Sequence, residues 1–380
     1  MKQWLKGILK SIPQVKRYHD HLKSLADQRN NRIEAQLNEI IDMYDNYVDE
    51  TWSGVSRKQV CLLPYRNFDV YADGSVYTCC TAYLRNNYSI GDIYIDKLDD
   101  IWNSDRAKRL RYSVSKGNYE YCKRRCPNFE NKESSFPRTD WDESCIKDHP
   151  KAIGLYIDCT CNLYCPSCRS SIIASSPAEN RNITNILMNV IRPALKDCEL
   201  LTVSPAGEFL ASKPIMNLLK TLSREEFPNL KISVITNAQL FTDKRWTELP
   251  SGMIDTVSVS VDSTEKDTYE TLRRGGKWET LQKNLAFIAT LRRSGEIRVL
   301  QLNFVMQAAN FRQIPAFIAT AKQIGADRLC LQQINNMGTF SKEEFDHINI
   351  FAEQHPNHSE FQSILADVKG REQGIDIEWG

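Results

Sequence analysis

Three cysteines set the chemistry open to this chain. Cys161, Cys165 and Cys168 stand at C-x3-C-x2-C within the run Gly154 to Cys168, GLYIDCTCNLYCPSC. Thiolates this close can hold three irons of one cubane and leave the fourth iron without a protein ligand, whereas iron-sulfur clusters are normally closed by four cysteines. An open iron admits an outside molecule. The competing chemistry is a structural zinc, tetrahedral, with Cys159 as the fourth ligand. A second group, Cys61, Cys79, Cys80, Cys122 and Cys126, lies upstream, and twelve cysteines in a chain without a secretion pattern favour metal binding over disulfides.

The elements that must position the triplet follow from periodicity. An apolar run, Ile153 to Ile157, leads straight into it. From Ala152 to about Asn335, strand-like and helix-like segments alternate, the pattern of βα units on a parallel sheet. Strands are predicted over 153–158, 199–204, 231–236, 255–261, 299–305 and 328–334, and helices over about 181–196, 213–223, 243–248, 266–290 and 311–324. Polar residues gather at the strand ends. SPAGEF places Gly207 and Glu208 after the second strand, and ITNAQL places Thr236 and Asn237 after the third, where a turn-forming asparagine is the plainer reading. In VSVSVDS of the fourth strand, Ser258, Ser260 and Asp262 alternate with valines and share one face, where they can bind hydroxyl groups. YETLRRGGKWETL follows, with Arg273 and its exposed neighbour Arg274. The last two strands carry Gln301, Asn303, Gln307, Cys330, Gln332 and Asn335, more amides than an apolar core needs, which favours a neutral, hydroxyl-rich ligand.

Ahead of this region the pattern differs. Residues 1–50 read as helix with a break at Pro13; Trp4, Leu5, Ile8, Leu9 and Ile12 form an apolar stripe, and the first seventeen residues are basic without an acid. Such a helix packs on its own domain or lies on an anionic membrane surface. CLLPYRNFDVYADGSVYTCC then reads as a hairpin about Asp73-Gly74 with cysteines at both ends, followed by a short helix near Leu98 to Leu110 and by Cys122 and Cys126. A zinc ribbon is one reading of such cysteine pairs. Residues 128–150 form a polar linker holding Cys145, and the region after 336 is helical with a terminal strand-like IDIEW; His347, His355 and His358 are read as surface residues. The expected divisions are a helical segment over 1–55, a small α+β module over 56–135, a βα domain over 150–340 and a helical extension over 341–380.

The 49 lysines and arginines nearly balance the 48 acids, so no overall field favours nucleic acid. No run of about 18 apolar residues and no cleavage pattern is present. The expectation is a cytoplasmic chain, with membrane contact confined to residues 1–17.

The triplet after an apolar strand resembles the signature of radical S-adenosylmethionine (radical SAM) enzymes. The resemblance implies a partial (β/α)6 barrel in which SAM chelates the open iron of a [4Fe-4S] cluster held by Cys161, Cys165 and Cys168. It implies that an electron supplied by a flavodoxin or ferredoxin cleaves SAM to a 5′-deoxyadenosyl radical that takes a hydrogen atom from the substrate. SPAGEF resembles the family's G-G-E motif, so Gly207 and Glu208 would hold the SAM amino group, while Asn237 shapes the floor and Arg273 meets the SAM carboxylate. Ser258, Ser260 and Asp262 would line the lumen. Residues 61–126 resemble the SPASM/twitch module, implying an auxiliary [4Fe-4S] cluster on Cys61, Cys79, Cys122 and Cys126, although that module usually follows the barrel and the last pair here is C-x3-C. Cys330, pointing inward, or Cys159 could return a hydrogen atom to a substrate radical, the plainer reading of Cys330 being a buried structural cysteine. With no strands in 1–50 to form a peptide-binding wing, a nucleotide- or lipid-linked carbohydrate ranks first as substrate, to be epimerised or oxidised. A ribosomal peptide or protein ranks next, and a non-catalytic iron-sulfur or zinc module is the alternative of another class.

Overall fold

Along each strand of the C-terminal two thirds, every second side chain is apolar and faces a layer of helices, which is why these segments pair into one sheet. The structure, a computed structural model, describes residues 59–117, 119–123, 126, 135–137, 148–203, 206–369 and 374–379. The helices and basic stripe expected over 1–50, and Cys145, lie outside the described residues. The chain divides into two compact units, and the described residues of the first fall in 59–62, 80–88 and 110–137 and those of the second in 63–79, 89–109 and 148–379.

The larger unit is built on a ten-stranded sheet. Its strands are β2 (Asn67–Tyr71), β3 (Ser75–Tyr77), β4 (Gly91–Asp92), β6 (Ala152–Tyr156), β7 (Leu200–Val203), β8 (Lys231–Thr236), β9 (Ile254–Ser260), β10 (Val299–Met306), β11 (Arg328–Gln333) and β12 (Asp376–Trp379). Their spatial order is β12-β11-β10-β9-β8-β7-β6-β2-β3-β4. From β6 to β12 every pairing is parallel, so the six predicted βα strands stand side by side in chain order as the partial barrel requires. Ile153, Leu155, Leu201, Val203, Val257, Val259, Leu300 and Leu302 join one buried core with the helices Lys213–Lys220, Trp278–Ser294 and Ile314–Ile324. The opposite face, the lumen side, carries the polar alternates.

Several expectations change. The helix predicted over 266–290 is two, Lys266–Leu272 and Trp278–Ser294, because Gly275 at φ +91° turns the chain where an L side chain would be strained. The first helix of the barrel runs Pro177–Ile186 behind a Ser176/Glu179 capping box and continues as a π-helical stretch, Leu187–Ile191. The C-terminal extension contributes a seventh parallel strand, β12, as well as helices Lys342–Ile348 and His358–Lys369. His355 is buried rather than at the surface: its Nε2 donates to the His347 carbonyl and its Nδ1 accepts the Asn357 N–H, which fixes the neutral tautomer. The residues of the module expected over 56–135 fall in both units. Its hairpin β2/β3 belongs to the sheet of the larger unit, because β2 pairs in parallel with β6 over five positions, from Asn67↔Ala152 to Tyr71↔Tyr156. In the smaller unit, β1 (Gln59–Cys61) pairs antiparallel with β5 (Ser135–Pro137), and Leu84 bridges Cys122.

Candidate active site

The triplet occupies the loop that leaves β6, and the backbone around it is pinned from three sides. Cys161 N–H donates to the Ile173 carbonyl at 2.9 Å, Tyr164 N–H to the Arg274 carbonyl at 3.0 Å, and Glu208 N–H to the Thr160 carbonyl at 2.8 Å. Asp158 is buried at the strand end and organises the approach, accepting from Thr160 N–H at 2.9 Å and from the hydroxyls of Ser175 at 2.8 Å and Ser212 at 2.5 Å. Gly207 packs so close that a Cβ there would lie 2.4 Å from the Thr160 carbonyl oxygen and 2.9 Å from that of Asp158. Only glycine fits. The carbonyl of the preceding Ala206 turns toward Arg169.

N–H donors converge on the sulfurs. Arg169 Nη2 and Nε stand 3.3 and 3.4 Å from Cys168 Sγ, while Nη1 donates to the Cys159 carbonyl at 2.6 Å and Nη2 to the Ala206 carbonyl at 2.8 Å. Leu163 N–H is 3.4 Å from Cys161 Sγ, Asn237 Nδ2 is 3.8 Å from the same sulfur, and Arg273 Nη1 is 3.9 Å from Cys165 Sγ. Burial pushes the thiols of Cys161 and Cys165 up, and the nearby Arg169 and Arg273 cations oppose it. Such a donor set suits metal-bound sulfur, whose negative charge the N–H groups hold. The three cysteines border a cavity of about 90 Å³ that also meets Gly207, Thr236, Asn237, Ser260 and Arg273.

Glu208 is fully buried, and its carboxylate holds the third-strand turn together. It accepts from the Thr236 hydroxyl at 3.0 Å and from Asn237 N–H at 2.7 Å, while burial pushes its pKa up to about 7. Asp262 follows β9 and pairs with Arg273 at 2.7 Å; burial pushes its carboxyl up and the guanidinium opposes this. Arg273 Nε is buried without a hydrogen-bond partner among the described residues. A glycine cradle, an orphaned guanidinium N–H and three thiols beside one cavity fit a cluster with a carboxylate-bearing ligand at its open side. Among the described residues no three histidines, cysteines or acids lie together as ligands of one ion would.

The remaining candidates separate. Ser260 reaches the cavity, but Ser258 is buried against Asn303, donating at 3.2 Å and accepting at 2.9 Å, and Gln301 completes the group at 2.8 Å. Cys330 is buried on β11 in register with Asn303, which is itself in register with Ser260; burial and the neighbouring Glu378 push its thiol up to about 12. Cys159 is half-buried and faces Arg169 electrostatically. In the smaller unit Cys61, Cys122 and Cys126 stand close enough that, after burial, the two neighbours raise Cys122, up to about 12. Cys79 is buried at the end of β3 and is counted with the larger unit. Arg169 and Asp158 were not singled out by sequence reasoning; the signal for the first is an arginine abutting the last cysteine of the triplet.

Residues 157–321 match the family model of the radical SAM superfamily, and residues 61–127 match that of SPASM, an iron-sulfur cluster-binding domain. An AdoMet-dependent heme synthase from Methanosarcina barkeri (strain Fusaro / DSM 804) is 24% identical over 183 residues, 47% of this chain and 48% of that protein. The match thus spans about half the length of the curated relative. Of solved structures, Streptococcus suis SuiB is similar at 17% identity, covering 61% of this chain and 50% of that one with a TM-score of 0.44. Native anSMEcpe with bound AdoMet is similar at 14% identity, covering 60% and 63% with a TM-score of 0.36. Likeness this slight transfers nothing to the present chain. The chain thus carries a SPASM domain over residues 61–127 followed by a radical SAM domain over residues 157–321, which together imply a SAM-binding [4Fe-4S] cluster and an auxiliary cluster.

Proposed function

We propose that this radical SAM enzyme takes a hydrogen atom from a carbon of a hydroxyl-rich substrate, a nucleotide- or lipid-linked carbohydrate, and epimerises or oxidises it. The observation that carries the reading is the lumen-side row of Ser260, Asn303 and Cys330, held in register across β9, β10 and β11 and joined to the hydrogen-bonded Ser258, Asn303 and Gln301. Hydroxyls and amides in that position suit substrate hydroxyl groups. When bound, the cluster and SAM supply a 5′-deoxyadenosyl radical. Cys161, Cys165 and Cys168 hold the cluster, with Arg169, Arg273 and Asn237 directing N–H groups at their sulfurs. Gly207 lets the following turn close on Thr160, Glu208 fixes Asn237, and Arg273, held by Asp262, keeps an N–H free for a carboxylate. Ser260 reaches this pocket, while Ser258 and Asp262 stand behind it, held by Asn303 and Arg273.

Cys330 returns a hydrogen atom in the epimerising branch. Its S–H bond breaks as the C–H bond forms, and the resulting thiyl takes an electron from an external flavodoxin or ferredoxin and a proton from solvent. Cys159, tied beside Arg169, is the weaker donor. In the SPASM domain Cys61, Cys122 and Cys126 hold the auxiliary cluster, Cys79 being the fourth ligand expected from the sequence. Among the described residues no helix is long and apolar enough to cross a membrane.

The test is anaerobically reconstituted protein with SAM, dithionite and a panel of nucleotide sugars in heavy water. Deuterium at one sugar carbon, lost in Cys330→Ala while deoxyadenosine still forms, is expected. Deoxyadenosine coupled to modification of peptides alone would overturn the carbohydrate reading.

A further inference from the structure

The hairpin that the SPASM domain lends to the barrel sheet brings a carboxylate with it. Asp69 on β2 is in register with Gly154 on β6, and Gly154 with Thr202 on β7. Phe68 and Val70 on β2 are buried in the same core as Ile153, Leu155, Leu201 and Val203. By the two-residue alternation of strands, Asp69, Tyr71, Gly154, Tyr156 and Thr202 therefore share the opposite, lumen-side face.

Gly154 is what admits the acid. A Cβ there would lie 2.3 Å from Asp69 Oδ1 and 2.9 Å from Tyr156 Cε2, so the carboxylate lies across the glycine beside the tyrosine ring. Tyr71 stacks on Tyr156 with ring centroids 4.6 Å apart and planes 4° apart, and Tyr77 meets Tyr71 edge-on at 5.0 Å. Asp69 is only 9% exposed. Burial pushes its carboxyl up, and among the described residues no cation pairs with it. A buried carboxylate with no balancing charge is costly and calls for a partner. Aromatic rings and a carboxylate together recognise an ammonium group, the rings through their negative faces and the acid through its charge.

We infer that Asp69, with Tyr71 and Tyr156, forms a substrate subsite on the lumen side of the sheet that binds a primary ammonium group. Combined with the carbohydrate reading, on which this half of the inference rests, the substrate class becomes an amine-bearing sugar. Gly154 is a positioning residue, keeping the place of the carboxylate open.

The experiment is equilibrium binding of glucosamine, glucose and methylammonium to the full-length holoenzyme with SAM, followed by tyrosine fluorescence. Glucosamine is expected to bind at least about tenfold tighter than glucose, as a charge-assisted hydrogen bond warrants. Asp69→Asn should remove that preference, Gly154→Ala should weaken it by displacing the carboxylate, and Asp69→Glu should recover part of it. Iron content near wild type and a single cooperative unfolding transition in each variant separate loss of the subsite from misfolding. Binding of methylammonium that depends on Asp69, with neither sugar bound, would sustain the ammonium subsite and sink the sugar. Equal binding of glucosamine and glucose in both wild type and Asp69→Asn would overturn the subsite while leaving the carbohydrate reading standing.

Discussion

The Arg169 guanidinium lies against the sulfur of Cys168, with Nη2 at 3.3 Å and Nε at 3.4 Å, and is anchored there by the carbonyls of Cys159 and Ala206. A fixed cation and two N–H groups beside a ligand sulfur stabilise the reduced, more negative cluster. Arg169→Gln should therefore shift the potential of the SAM-binding cluster to more negative values and slow deoxyadenosine formation with dithionite, while iron content stays near wild type. A redox titration followed by electron paramagnetic resonance reads the shift. An unchanged potential would show that the arginine only braces the loop.

Gly207 has no room for a side chain, its nearest obstacles being the backbone carbonyls of Thr160 and Asp158. Backbone cannot rotate away as a flexible side chain can. Gly207→Ala should cost about 1–3 kcal/mol of stability and lower SAM affinity by at least about tenfold. Urea unfolding and equilibrium dialysis with SAM check the two parts separately.

Ala238 sits at φ +59° in the turn after β8, where its carbonyl accepts Asn284 Nδ2 at 2.6 Å. A non-glycine residue pays for the left-handed conformation, and glycine does not, although glycine loses more freedom on folding. Ala238→Gly is expected to raise stability by about 0.5–1 kcal/mol, visible as a higher melting temperature. A lower melting temperature would mean the alanine methyl packs more favourably than its backbone strains.

Asp69 gives the fold a pH dependence. Burial pushes its pKa from the ordinary 3.8 to about 7, so the folded state holds a proton that the unfolded chain releases. A carboxyl raised in this way contributes full stability below about pH 4 and loses it as pH rises through about 7, with at most about 4 kcal/mol at stake. Asp69→Asn should flatten the decline in unfolding free energy between pH 4 and 8. A slope equal to wild type would remove Asp69 as its source.

Glu208 anchors the other side of the pocket through Thr236 and Asn237. Removing the acceptor leaves the buried Asn237 N–H unsatisfied, at a cost of about 1–3 kcal/mol. Glu208→Ala should lose that stability and nearly all deoxyadenosine formation, while Glu208→Gln, still offering an acceptor oxygen, should keep most of the stability. Equal destabilisation by both variants would assign the loss to the missing charge.

The spacing of Cys161, Cys165 and Cys168 and the alternation of strand and helix were enough to specify the radical SAM barrel and its SAM-binding cluster, because both are local patterns: a loop of eight residues and a period of two or 3.6. Gly207 was singled out by its motif, and the structure shows that no side chain fits there, against the loop after β6. What the sequence left open depends on residues far apart in the chain. The parallel pairing of β2 with β6 joins positions more than 80 residues apart, and only that register sets Asp69 over Gly154 and turns an ordinary surface-type acid into a buried one. Ser258 reads as a lumen group but is taken up by Asn303 on the next strand, and His355 reads as exposed until the chain around it folds over its ring. Burial and pairing arise from the summed packing of distant segments, which no local period encodes. The chemistry was therefore written in the spacing of three cysteines, whereas the tertiary structure decided which charges surround them.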